Sequence, residues 1–171
     1  MLTLVIGGAG SGKSAFAEDW ALRLMGRRVY LATMRPFGAE GAARVERHRR
    51  LRQGKGFHTV ERYTDLGGAD VSPGDNVLLE CLGNLAANEL YDPAGGGPGA
   101  ALAGVESLLA RCGHLTVVGN EVCAGGADYL GDTERYLREL AALHRALASR
   151  ADTVVEVACG LPDFWKGGTL S

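Results

Sequence analysis

At 171 residues, 46% of them hydrophobic and 22% charged, the chain has the make-up of one compact globular domain with a real core, and is too short for two ordinary ones. A formal net charge of −2 gives no global drive toward nucleic acid, and no apolar run approaches the roughly 20 residues of a membrane span, so the expectation is a cytoplasmic protein with neither nucleic acid nor membrane as partner. Cys81, Cys112, Cys123 and Cys159 lie far apart with no C-x-x-C pair, which reads as reduced core or near-core thiols rather than a zinc site or a disulfide framework.

The first predicted element is a buried strand at Leu2–Ile6, an unbroken apolar run. It leads into Gly7-Gly8-Ala9-Gly10-Ser11-Gly12-Lys13-Ser14, which fits the phosphate-binding pattern G-x-x-x-x-G-K-[ST] at every position and opens a helix predicted over Lys13–Met25. Glycines there let consecutive backbone N–H groups converge on phosphate oxygens, and the helix start adds its positive dipole end. Lys13 would reach the β- and γ-phosphates of a nucleoside triphosphate, and the Ser14 hydroxyl would hold Mg²⁺. Farther along come a strand at Val29–Thr33, a helix at Ala39–Arg52, a strand at Val77–Cys81 and a helix at Leu85–Leu90. Asp92–Gly99, rich in glycine and proline, reads as a mobile surface loop. A helix at Ala100–Arg111, a strand at Leu115–Gly119, a helix at Thr133–Ser149 and a strand at Thr153–Ala158 complete the series. Leu137, Leu140, Ala141, Leu143 and Leu147 form the apolar stripe of that last helix. Short strands alternating with helices call for a doubly wound α/β fold on a mostly parallel sheet, and no repeat or linker divides residues 1–171.

In such sheets ligands collect at the carboxyl ends of the strands, which singles out Ala32-Thr33-Met34, Glu80-Cys81 and Asn120-Glu121-Val122. Glu80 closes the apolar run Val77-Leu78-Leu79, as a magnesium-holding carboxylate does in phosphate-loop enzymes, although a carboxylate that caps the next helix would read the same way. Glu121 is open between an active-site carboxylate and a turn residue. In the basic stretch around Arg47-His48-Arg49-Arg50-Leu51-Arg52, helical spacing puts Arg44, His48 and Arg52 on one face. That face suits a polyphosphate with a nucleophilic histidine beside it, or is simply a solvated helix surface. His58, His114 and His144 have no comparable setting.

The phosphate loop with Ala17-Glu18, then Tyr30-Leu31-Ala32-Thr33, Ala43-Arg44-Val45-Glu46-Arg47-His48, Thr59-Val60-Glu61, Leu78-Leu79-Glu80-Cys81-Leu82, Asn88 and Asn120-Glu121-Val122 together resemble the bifunctional adenosylcobinamide kinase and adenosylcobinamide-phosphate guanylyltransferase of cobalamin synthesis. The resemblance implies a RecA-like, three-layer phosphate-loop fold and a homotrimer. It implies two reactions: phosphorylation of adenosylcobinamide with ATP or GTP, and transfer of GMP from GTP to adenosylcobinamide phosphate through a guanylylated His48. It also implies nucleotide contacts at Gly7 to Ser14, at Ala32, Thr33 and Met34, at Arg49, Arg50, Leu51 and Arg52, and at Glu61 and Glu80, with Mg²⁺ on Ser14 and Glu80. Glu61 would read guanine, since a carboxylate accepts hydrogen bonds from N1–H and the exocyclic amine.

The chain departs from the family pattern at Cys123-Ala124-Gly125-Gly126-Ala127-Asp128, at Tyr136-Leu137-Arg138-Glu139-Leu140, at His144-Arg145-Ala146 and in part of the tail from Gly160 to Lys166. These differences bear on cobinamide or on the kinase half more than on the nucleotide. Two alternatives stay open from the residues alone: a small-molecule kinase without guanylyltransferase activity, and a GTP-controlled binding protein whose basic helix contacts a partner.

Overall fold

A computed structural model describes residues 1–36, 38–122 and 129–168. Its strands are β1 (Leu2–Gly7), β2 (Arg28–Ala32), β3 (His58–Glu61), β4 (Asn76–Glu80), β5 (His114–Asn120), β6 (Thr153–Ala158) and β7 (Leu161–Lys166). The helices are α1 (Lys13–Leu22), α2 (Gly38–Arg52), α3 (Leu82–Tyr91), α4 (Ala100–Arg111) and α5 (Asp132–Arg150).

The strands join one sheet in the order β3-β2-β4-β5-β1-β6-β7, parallel throughout except for the antiparallel β6–β7 pair. The central strands are covered on both faces, which is why they read as continuous apolar runs instead of alternating ones. Side chains of β1 divide by parity: Leu2 and Leu4 enter the larger core, beneath α3, α4 and α5, while Val5 joins the smaller one with Ala17 of α1. Helix, sheet and helix make the three layers. On α5, Leu140, Leu143 and Leu147 are buried against the larger core, each contributing roughly 1.5–3 kcal/mol by leaving water.

β1 leads through α1 to β2 on one side, and β5 leads through α5 to β6 on the other. β1 is therefore the switch point where ligands bind in open α/β sheets. β5 lies between β1 and β4, so the phosphate loop and the strand ending in Glu80 are separated by the strand ending in Asn120.

Several expectations need correction. β3 and β7 were not foreseen: both are edge strands, largely exposed, so neither carries an apolar run, and β7 tolerates Pro162 because one of its sides is unpaired. α1 stops at Leu22 rather than Met25; the chain turns at Gly26, whose φ of 107° and close approach to the Gly74 carbonyl exclude a side chain. α3 is longer than read, from Leu82 to Tyr91. Of the cysteines, Cys81 is buried and Cys112 half-buried, but Cys159 is exposed. The apolar run of β6 ends in the turn Cys159-Gly160, with φ of 52° and 80°, the two left-handed positions of a tight hairpin. Cys123 lies outside the described residues, as does the rest of the divergent segment to Asp128.

Candidate active site

The phosphate loop takes its shape from glycine at two kinds of position. Gly10 and Gly12 have φ of 71° and 93°, open to a residue without Cβ. At Gly7 space decides: a Cβ would sit 2.5 Å from the Val157 carbonyl oxygen and 2.6 Å from Ser11 Oγ. The β6–β7 turn braces the loop from outside, with Gly160 N–H donating to the Ser11 carbonyl at 2.8 Å. Lys13, buried at the start of α1, donates from Nζ to the Gly8 carbonyl at 3.0 Å.

Across the cavity from this loop, Glu80 is the meeting point of three elements. Ser14 of α1 donates its hydroxyl hydrogen bond to Oε1. Tyr30 of β2 donates to Oε2 at 3.0 Å. His48 of α2 brings Nδ1 to 4.0 Å from Oε1, its side chain only 23% exposed. Glu80 itself is 9% exposed, a burial that a carboxylate tolerates only when hydrogen-bonded or paired. Tyr30 is held well above the usual phenol range, by burial first and by the adjacent Glu80 charge second, against the pull of Arg52. Arg52 lies over that phenol, its Cζ 3.4 Å from the ring centroid, a cation–π contact strengthened by burial. It is 7% exposed, and its Nη1 has no partner among the described residues.

A cavity of about 400 Å³ opens over these groups. It brings together Ala9, Gly10, Lys13, Ala32, Met34, His48, Arg52, Glu61 and Glu80 from the expected set. His48 thus lines the same cavity as Ala9, Gly10 and Lys13 of the phosphate loop. Glu61 accepts from Arg49 at 2.8 Å on Oε1 and from the Tyr63 hydroxyl at 2.9 Å on Oε2.

Other expected contacts fall elsewhere. Thr33 is fully buried and does not reach the cavity. Its hydroxyl donates to the Cys81 carbonyl and accepts from Cys81 N–H, its own N–H donates to the Glu80 carbonyl, and its carbonyl accepts from Asn88 Nδ2. Arg49 reaches the site only through Glu61, and Arg50 pairs with Glu46 at 3.1 Å on the exposed side of α2. The side chain of Leu51 lies outside the described residues. Asn120, Glu121 and Val122, singled out at the end of β5, line the cavity, and Tyr30, Arg47, Tyr63 and Asn84 line it without having been named as site residues. Tyr30 shares a strand face with Ala32 by the two-residue period of β2, a pattern that a core tyrosine would show equally.

The oxygens of Ser14 and Glu80, in contact, are hard donors that suit Mg²⁺, an ion that usually takes one or two protein ligands and fills its shell with water and substrate phosphate. Among the described residues no group of three or more His, Cys, Asp and Glu side chains is placed to cage a metal.

The family described as cobinamide kinase / cobinamide phosphate guanyltransferase matches residues 3–163. The chain belongs to this family. It is 35% identical to the bifunctional adenosylcobalamin biosynthesis protein CobU of Escherichia coli over 94% of the chain and 97% of that protein. To the bifunctional adenosylcobalamin biosynthesis protein CobP of Pseudomonas aeruginosa it is 31% identical over 99% of the chain and 100% of its relative. The fold is similar to that of an ATPase of the type III secretion system of pathogenic bacteria, with a TM-score of 0.50 at 14% identity over 95% of the chain and 57% of that structure. The cobinamide kinase / guanyltransferase family belongs to cobalamin biosynthesis and uses ATP and GTP as substrates. The chain is thus a bifunctional transferase with a phosphate-loop fold.

Proposed function

We propose that this chain phosphorylates adenosylcobinamide with ATP or GTP, and transfers GMP from GTP to adenosylcobinamide phosphate through His48. The observation that carries this reading is the placement of His48 and Lys13 around one cavity, with the Glu80 carboxylate between Ser14 and the imidazole. In the kinase reaction the terminal hydroxyl of adenosylcobinamide attacks the γ-phosphorus, its proton passing to solvent, the bond to the bridging oxygen breaks, and the nucleoside diphosphate leaves. Positioning and charge neutralisation do most of this work: the loop amides and Lys13 hold the β- and γ-phosphates. Mg²⁺ bound at Ser14 and Glu80 would neutralise charge on the same phosphate oxygens.

In the transfer reaction the neutral imidazole attacks the α-phosphorus of GTP. Because Nδ1 faces Glu80, Nε2 is the attacking atom. The bond between the α-phosphorus and the oxygen bridging to the β-phosphate breaks, pyrophosphate leaves, and GMP remains as a phosphoramidate. Glu80 balances the charge that develops on the ring. A phosphate oxygen of adenosylcobinamide phosphate then attacks the same phosphorus, the P–N bond breaks, and adenosyl-GDP-cobinamide leaves with the imidazole restored. The orphan Nη1 of Arg52 supplies a donor to the phosphates, while Ala32, Met34 and Glu61 lie where the guanosine end would rest.

In this reading residues 1–171 act as a single catalytic domain, in the cytoplasm, as a homotrimer. The single sheet supports the first of these. The absence of any described helix long and apolar enough to cross a membrane fits the second, and the exposed Leu161 and Trp165 on β7 fit an oligomer.

Incubation with Mg²⁺ and α-phosphate-labelled GTP tests the central step. Acid-labile, base-stable label on the wild type, and none on His48→Ala, is the expected outcome. A folded, GTP-binding wild type that takes no label would overturn the transfer mechanism and leave a plain phosphate-loop kinase.

A further inference from the structure

We propose that Tyr30 is a positioning residue of the transfer site, its hydroxyl fixing the Glu80 carboxylate toward Ser14 and His48 while its ring forms the platform on which Arg52 meets the phosphates. The inference rests on the reading of Glu80 and Arg52 given above, and adds to it the residue that sets both.

The geometry divides the two jobs between two parts of one side chain. Glu80 has two oxygens. Oε1 faces Ser14 and His48, and Oε2 accepts from the Tyr30 hydroxyl at 3.0 Å. A carboxylate free to rotate would present either oxygen to Ser14 and would not hold a fixed direction toward the imidazole. The phenol removes that freedom, because Tyr30 is 4% exposed and fixed in β2 between β3 and β4. Its ring packs edge-on against Phe57, with centroids 6.3 Å apart. One face of the same ring carries Arg52 at 3.4 Å. Arg52 is more than nine-tenths buried with Nη1 unpartnered among the described residues, and it lines the cavity. A buried guanidinium with an unused donor calls for an anion, and the ring decides where that donor sits. Tyr30 therefore links the carboxylate side of the site to its cationic side.

The hydroxyl and the ring separate cleanly by substitution. Tyr30→Phe keeps the ring and removes the hydrogen bond; Tyr30→Leu removes both. Calorimetry of GTP binding to the purified full chain, with and without Mg²⁺, gives a readout that needs no turnover. In Tyr30→Phe, GTP binding without Mg²⁺ stays within about twofold of wild type, whereas the tightening produced by Mg²⁺ falls roughly tenfold, the size expected from one hydrogen bond to a charged group. In turnover, which runs with Mg²⁺, the same variant loses kcat for both reactions and its KM for GTP rises in step with the weaker Mg²⁺-dependent binding. Tyr30→Leu also weakens GTP without Mg²⁺, by about tenfold, as Arg52 loses its platform.

A Tyr30→Phe protein that responds to Mg²⁺ as the wild type does would overturn the proposal. So would equal losses in both variants, which would reduce Tyr30 to a packing residue. Should the leucine variant fail to fold, the phenylalanine variant decides alone through its Mg²⁺ response. Absence of label on wild-type His48 in the guanylylation experiment would instead strike the transfer mechanism, and the calorimetric comparison would still judge Tyr30.

Discussion

A histidine among arginines on a helix has no particular chemistry until its ring has a partner, and here the Glu80 carboxylate lies 4.0 Å from its Nδ1. The two residues should therefore fail differently. His48→Ala is expected to abolish guanylylation while phosphorylation of adenosylcobinamide continues, because no step of the kinase reaction passes through the imidazole. Glu80→Gln, nearly isosteric but uncharged, is expected to lower both rates by about 100-fold or more, as removal of a preorganised charge in a dry site does. Paired assays of histidine labelling and cobinamide phosphorylation check this, and a Glu80→Gln protein impaired in only one reaction would contradict the shared role. If Glu61 reads guanine as proposed, Glu61→Gln is expected to reduce discrimination between GTP and ATP in the transfer step by roughly tenfold, since a carboxamide loses an acceptor; unchanged discrimination would free Glu61 from that role. Lys13, Ser14 and Glu80 were legible because a motif or an acid at the end of an apolar run marks them. Tyr30 was not, because a tyrosine on the ligand-facing side of a buried strand has the same pattern as one in the core. Thr33 misled for the opposite reason: it follows a strand end, as site residues do, but all its polar groups serve to tie β2 to β4 and α3.

Between elements, the tightest constraint on the site is the seat of the phosphate loop against the β6–β7 hairpin. Gly7 lies against the Val157 carbonyl, and a Cβ at Gly12 would meet Gly160 Cα at 3.1 Å. A methyl at position 7 has nowhere to go without displacing the loop or the strand behind it. Gly7→Ala is therefore expected to fold, since the sheet core is untouched, yet to bind GTP more weakly by at least about tenfold, the loop amides no longer converging on the phosphates. Calorimetry alongside a thermal melt checks both halves; wild-type affinity would show that the loop has slack the close contact denies. The motif announced the loop, but its brace could not be read ahead. β7 is short, mostly exposed and interrupted by Pro162, so no periodicity marks it, and its partner β6 was recognised by its apolar run alone. β3 escaped for the same reason, whereas the buried central strands and the striped α5 were visible because burial on one or both faces writes itself into the hydrophobic pattern.

Over the whole molecule, pH should act through histidines that have no part in the chemistry. The α/β layering could be read from alternating apolar runs, but the sequence offered no sign that His144 on α5 would face the end of β5. A Cβ placed on Gly119 would meet its Nε2 at 2.4 Å, and that nitrogen is buried without a hydrogen-bond partner among the described residues. Burial pushes the His144 imidazole below its usual range, with the Glu121 charge opposing; His114 is pushed down by burial and, secondarily, by the N-terminal ammonium. Both rings are thus favoured neutral in the fold. In the unfolded chain they titrate near about 6.5. As pH falls through that value, the unfolded chain takes up protons that the folded chain resists, so stability is complete above it and declines toward the depressed values below. Carboxylates act in a different window. Asp75 is held below its usual range chiefly by its hydrogen bond from Arg27, so its contribution persists until pH falls below about 4. A decline in melting temperature between pH 7.5 and 5.5 therefore belongs to the histidines. His144→Asn, which removes one titrating group while keeping a polar side chain at the contact, is expected to flatten that decline. An unchanged slope in the variant would mean that His144 accepts its proton in the folded state as readily as in the unfolded one, with Glu121 offsetting its burial.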